Sequence, residues 1–178
     1  IGVRLVGSEM CIRDSLVSDA GTPSISDPGF ALLRHQSDDF SVLPVPGPSS
    51  ITSALSVSPI PINTFTFLGF LPKKINDLEK KLTEIKNSGM PVIIFENKNR
   101  LSRLLLQVKK ICGSGTPVCI FSELTKSQEE IICGPVSQLL KNLENIKFSG
   151  EFTVIIGISN KESMELAKLT SQVSRLSK

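Results

Sequence analysis

The sequence predicts an α/β protein, and three observations carry that prediction. From Leu16 onward, short apolar runs alternate with amphipathic stretches of helical period. Turns rich in Gly and Pro separate the two kinds of segment. Twice, within residues 16–29 and 42–50, an apolar run passes through such a turn towards a helix start, the alternation expected of strands feeding helices.

Taken in order, residues 16–18 read as the end of a strand, 19–29 as a loop, 30–36 as a short helix and 40–44 as another strand. Pro46-Gly47-Pro48 breaks the chain, and Ser49 suits the N-cap of a helix reaching about Val57. Residues 58–72 hold three prolines around an extended 65–70, and their first half is the expected boundary between two lobes. Leu78, Leu82 and Ile85 mark one face of a helix over 77–87. The run 91–96 reads as a buried strand, and Leu101, Leu104, Leu105 and Val108 mark the next helix. Strands over 118–121 and 130–133, a helix over 136–143, a buried strand over 152–158 and a helix from about Lys161 complete the pattern.

Composition narrows the function. A 40% hydrophobic chain of 178 residues can bury a sizeable core. No apolar stretch approaches the roughly 20 residues that cross a bilayer, so no membrane span is expected. Arg4, Glu9, Arg13 and Asp14 interrupt the first fifteen residues, which argues against a secretory signal and for a cytoplasmic protein. The spacings of Cys11, Cys112, Cys119 and Cys133 fit neither a zinc or redox C-x-x-C motif nor a disulfide framework, so buried reduced thiols are expected. With His35 the one histidine and no Trp or Tyr, Ser-His-Asp catalysis, His-rich metal sites and a broad base-stacking platform are disfavoured. A net charge of +3 permits a nucleic-acid partner without demanding one.

The densest motif is the loop over 16–29, where small residues would let a ligand approach the main chain. Alone it suits a surface turn equally well. Six segments, LVSDAGTPSISDPG, PVPGPSSITSAL, FLGFLPKK, IIFENKNR, SELTKSQEE and GEFTVIIG, occur together in one order. In that order and spacing the chain resembles the tetrapyrrole-methylase superfamily, and within it the branch that methylates a cytidine ribose 2'-hydroxyl of 16S ribosomal RNA in the small subunit. The resemblance covers residues 16–158. It implies a two-lobed α/β enzyme, a homodimer, binding S-adenosylmethionine between its lobes. Cofactor contacts carry over to Ala20, Gly21, Thr22 and Ile25, to Pro46, Gly47, Ser49 and Ser50, and to Glu96 and Leu124.

The resemblance leaves the proton acceptor open among Glu96, Glu123 and Lys126, each of which also suits a solvated ion pair at a strand end. Lys73, Lys74, Lys98, Arg100 and Arg103 are the candidates for RNA phosphates. No metal is implied, since Asp19 and Asp27 lack the acidic spacing of a calcium loop. Two motifs depart from the family pattern. Phe95-Glu96-Asn97-Lys98-Asn99-Arg100 stands for Tyr-Glu-Ser-Pro-His-Arg, and Ser122 stands for an Arg. Residues 1–15 match nothing in the family, which has a further lobe segment before the first loop, so these residues are expected to be foreign and the first lobe truncated. The expected domains are then 1–15, 16–62 and 63–178. Other readings are a corrin-precursor methylase and a non-catalytic module for cofactor binding or dimerisation.

Overall fold

The computed structural model describes residues 15–18, 21–34, 41–143 and 150–158. By its contacts the chain divides into two units, Ile1–Ser49 and Ser50–Lys178. The first unit holds the loop over 21–29, α1 (Phe30–Arg34) and a segment without regular secondary structure over 41–49. The second begins with α2 (Ser50–Val57), which the sequence reading had grouped with the first lobe. Ala54 of α2 is fully buried against the sheet of the second unit, and this packing fixes where the helix belongs.

That sheet has five strands. They are β1 (Thr66–Phe70), β2 (Val92–Asn97), β3 (Pro117–Ser122), β4 (Glu130–Pro135) and β5 (Glu151–Ile156), in the spatial order β1-β2-β5-β3-β4. β1 and β2 are parallel, while β5 is antiparallel to both β2 and β3, and β4 is antiparallel to β3. One end of the sheet therefore gathers the last residues of β1, β2 and β3 with the first residues of β4 and β5. The opposite end gathers the remaining termini.

Both faces of the sheet are covered, which explains the continuous apolar runs of β2, β3 and β5. On one face Val92, Ile94, Val118, Ile120, Phe152, Val154 and Ile156 pack under α3 (Ile75–Ser88), α4 (Lys98–Cys112) and α5 (Val136–Asn142). The alternate residues Ile93, Cys119, Phe121 and Ile155 pack on the other face with Ala54 and Ile60. The stripes Leu78, Leu82, Ile85 and Leu101, Leu104, Leu105, Val108 are the buried faces of α3 and α4, as their spacing predicts. α3 stops at Gly89, whose φ of 67° is the left-handed turn that glycine adopts without a Cβ penalty.

Three expectations need correction. Residues 16–18 and 41–44 form no strand among the described residues, and Val17, Leu43 and Val45 are exposed. An apolar run becomes a strand only when another strand accepts its hydrogen bonds, and none of the described residues does so here. The cysteines are not all reduced either, because Cys119 and Cys133 form a disulfide. These two residues face each other directly in the β3–β4 ladder, a long-range pairing that linear spacing does not reveal. Cys112 is free and half-buried. Cys11 and the expected helix from Lys161 lie outside the described residues, and no described helix is long and apolar enough to cross a membrane.

Candidate functional site

In the first unit the two Gly/Pro loops lie side by side, joined by Thr22 Oγ1 donating to the Pro48 carbonyl at 3.4 Å. The first loop is folded on itself. Ser24 N–H donates to Pro28 O and Ile25 N–H to Thr22 O, both at 3.3 Å, and Ser18 Oγ donates to Gly21 O at 3.1 Å. Gly21 has φ 85°, and a Cβ built there or at Gly47 meets nothing within 4 Å. Both positions thus leave open space beside the main chain, which is what close approach of a ligand to backbone N–H groups requires. Ile25 and Pro46 are exposed, Ser49 is half-buried, and Ala20 lies outside the described residues.

In the second unit the remaining candidates collect at the end of the sheet where β1, β2 and β3 finish. Glu96, next to last in β2, points towards α4 and is 1% exposed. Its Oε1 accepts the Asn97 N–H at 2.9 Å and lies 3.3 Å from Arg100 Nε. Burial pushes the Glu96 carboxyl above its ordinary value of 4.5, and the Asn97 N–H, Arg100 and Arg103 oppose that rise only in part. At the same level across the sheet, Phe152 of β5 pairs with both Glu96 and Ser122. Ser122, where the family pattern has an arginine, is itself 2% exposed.

The loop after β3 is held in an uncommon backbone form. Glu123 and Thr125 have φ of 48° and 66°, a region that non-glycine residues rarely occupy and that clusters at functional sites. Lys126 N–H donates to Glu123 O at 3.0 Å, Thr125 N–H to Glu129 Oε2 at 2.6 Å, and the Lys126 ammonium pairs with Glu123 Oε2 at 2.8 Å. Leu124 tucks against the face of the sheet that carries Phe121. Since β5 separates β2 from β3, Glu96 and the Glu123–Lys126 pair stand about 10 Å apart, two strand spacings.

The five basic candidates divide into two kinds. Lys73, Lys74 and Lys98 are exposed. Arg100 and Arg103 instead turn back onto the protein. Arg100 Nη2 donates to Leu71 O at 2.8 Å and Pro72 O at 3.1 Å, and Arg103 Nη2 donates to Lys73 O at 3.0 Å. Sequence reasoning missed these carbonyl partners. The available signal was the i, i+3 spacing of the two arginines along the border of the buried Leu101–Leu104 stripe, where long stems are covered by packing.

It also missed the setting of Phe95. Gly69, with φ 59°, lies within an irregularity of the β1–β2 register between Phe67 and Phe70. The irregularity brings both rings edge-on to Phe95, with centroids 5.0 and 5.7 Å away. A phenylalanine therefore sits here without need of a tyrosine hydroxyl.

The family model of the tetrapyrrole (corrin/porphyrin) methylases matches residues 14–140, well over half of the chain. The chain belongs to the tetrapyrrole methylase family. The matched span includes both Gly/Pro loops, Glu96 and Leu124. Among curated relatives it is 39% identical, over 94% of its length, to ribosomal RNA small subunit methyltransferase I of Xylella fastidiosa, covering 60% of that protein. The proteins of the same name from Rickettsia prowazekii and Thermotoga maritima are 38% and 39% identical over 80% of this chain, which covers 51% and 64% of them. The chain thus spans about half to two thirds of the length of these relatives. Among solved structures, the methyltransferase CobJ aligns with a TM-score of 0.59 at 16% identity, over 78% of this chain and 62% of that one. The cobalt precorrin-4 methyltransferase CbiF aligns at 0.50 and 17% identity, over 64% and 50%. At such identities these two speak for the fold alone.

Proposed function

We propose that this chain is the body of an S-adenosylmethionine-dependent methyltransferase that places a methyl group on the 2'-hydroxyl of a cytidine ribose in 16S ribosomal RNA. The observation that carries the reading is the 39% identity over 94% of the chain to a protein named as a small-subunit ribosomal RNA methyltransferase. The structural likeness to CobJ and CbiF extends to the fold and not to a tetrapyrrole substrate. A cytoplasmic homodimer acting on the small subunit accompanies the same reading.

S-adenosylmethionine would supply a sulfonium-bound methyl group. The main chain around Gly21, Thr22 and Gly47, with Ser49 and Ser50, fits a polar ligand, because both glycines leave open space at the backbone. Transfer of that methyl to a ribose hydroxyl would require a residue to take the hydroxyl proton. Of the three candidate acceptors, Glu96 is sealed behind Arg100, whereas the Glu123 carboxylate is partly exposed and bound to the exposed Lys126 ammonium. Glu123 is therefore the acceptor this reading favours, with Lys126 stabilising its charge and Glu96 fixing the end of β2. Lys73, Lys74 and Lys98 would meet phosphates and make binding salt-dependent.

The test is transfer of radiolabelled methyl from S-adenosylmethionine to a small-subunit ribosomal RNA transcript and to assembled subunits, followed by alkaline hydrolysis. A 2'-O-methyl group blocks the internal nucleophile, so label in an alkali-resistant dinucleotide supports the proposal. Label in ordinary mononucleotides, as methylation of a base would give, or on a corrin precursor offered in parallel, contradicts it.

A further inference from the structure

The four residues after β1, Leu71-Pro72-Lys73-Lys74, have every main-chain carbonyl occupied. Arg100 takes those of Leu71 and Pro72, Arg103 takes that of Lys73, and Leu78 N–H in the first turn of α3 takes that of Lys74. Leu71 is 3% exposed and anchors the turn from below. Three consecutive carbonyls drawn to two guanidiniums on one helix leave the lysine side chains as the turn's outward-facing groups. Lys73 and Lys74 are exposed, and among the described residues neither pairs with a carboxylate, nor does Lys98 at the start of α4. Arg100 itself is 14% exposed, with Nε held against Glu96, so little of its charge is offered to solvent.

We infer that Arg100 and Arg103 are positioning residues for an RNA-phosphate contact made by Lys73 and Lys74, rather than phosphate ligands themselves. The inference rests on the RNA reading above and assigns the arginines a role distinct from that of the lysines. A guanidinium suits it because one planar group can direct two N–H bonds to successive carbonyls while its Nε faces a carboxylate. An ammonium has the charge but not that fork. In R100K and R103K the local charge survives and the clamp does not. Ligands for phosphate would tolerate the exchange, and positioning residues would not.

The experiment has two arms on the whole chain. In the first, native trypsin cleavage after Lys73 and Lys74 is followed by mass spectrometry for wild type, R100K and R103K, since cutting requires the turn to leave its anchor. Cleavage there should rise about tenfold or more in the variants, corresponding to about 1.4 kcal/mol of lost local protection. Unchanged cleavage overturns the inference. In the second arm, binding of a small-subunit ribosomal RNA transcript is measured across a potassium chloride series for wild type, R100K, R103K and the double variant K73A/K74A.

K73A/K74A should lower the slope of log affinity against log salt by about 1.4–1.8, the value for two phosphate contacts. R100K and R103K should lower both affinity and slope although no charge is lost. Wild-type affinity and slope in the arginine variants, or in K73A/K74A, overturn the positioning role while leaving the RNA reading intact. Absence of RNA binding by wild type removes the underlying reading and this role with it, and the protease arm still reports whether the anchor exists.

Discussion

The two ends of the sheet differ more than its two faces do. Where β1, β2 and β3 finish, the chain gathers Glu96, Arg100, Arg103, Glu123 and Lys126, two non-glycine residues at positive φ, and a turn whose carbonyls are all taken by arginine or a helix start. The other end has a cavity of about 760 Å³ bordered by prolines such as Pro59, Pro91, Pro117 and Pro135, and by the Cys119–Cys133 disulfide. One end spends its side chains on charge placement, the other on shape. The middle of the sheet, shared by both, is apolar on each face. A rigid layer with a polar rim on one side can hold charged groups in fixed positions without burying them unpaired.

The largest effect should come from the shared middle. Phe152→Ala removes a fully buried ring between Glu96 and Ser122 and should cost about 3–5 kcal/mol in urea unfolding, loosening the charged end with it. A loss below about 1 kcal/mol would mean that Phe152 does not support that end. Next, Arg100→Ala leaves the Glu96 carboxylate buried without its cation and frees two carbonyls, so a loss of about 3 kcal/mol is expected. A double cycle with Glu96→Gln should recover part of it.

At the opposite end Gly157→Ala forces a Cβ to within 2.8 Å of Pro117 Cγ and 3.0 Å of Ile60 Cγ2, so it should cost about 1–3 kcal/mol. Its effect should stay in stability, with RNA affinity per folded molecule unchanged. Equal damage to RNA binding would erase the contrast between the ends.

The smallest effect is in pH dependence. Because the folded Glu96 carboxyl is raised, its contribution to stability is fully present below the ordinary value of 4.5 and is lost as pH rises through the folded value. Stability of wild type minus that of Glu96→Gln should therefore fall as pH climbs from 4.5 towards neutrality. A flat difference would show that Arg100 and the Asn97 N–H compensate the burial completely.

Much of this contrast is written locally in the sequence, and some of it is not. The leucines of α3 and α4 and the runs of β2, β3 and β5 report their burial through their own spacing, because 3.6- and 2-residue periods are properties of the segment itself. The pattern also picked out Glu96, Glu123 and Lys126 as charged residues at strand ends. It could not show that Arg100 and Arg103 face inward, because their acceptors are backbone carbonyls some 28–30 residues away. The Cys119–Cys133 pairing depends on β-register, and the kinship of α2 with the second unit depends on what Ala54 touches. The runs at 16–18 and 40–44 look like strands because an apolar run contains no information about whether a partner strand is beside it.

The most direct measurement of the central claim is amide hydrogen exchange of this chain with and without demethylated S-adenosylmethionine and a small-subunit ribosomal RNA transcript. Added protection is expected in the loop over 21–29 and at residues 71–74, 96–100 and 122–126, with Pro117–Cys119 and Gly157–Ile158 unchanged. Protection confined to the cavity end, with the charged end unaltered, would contradict it.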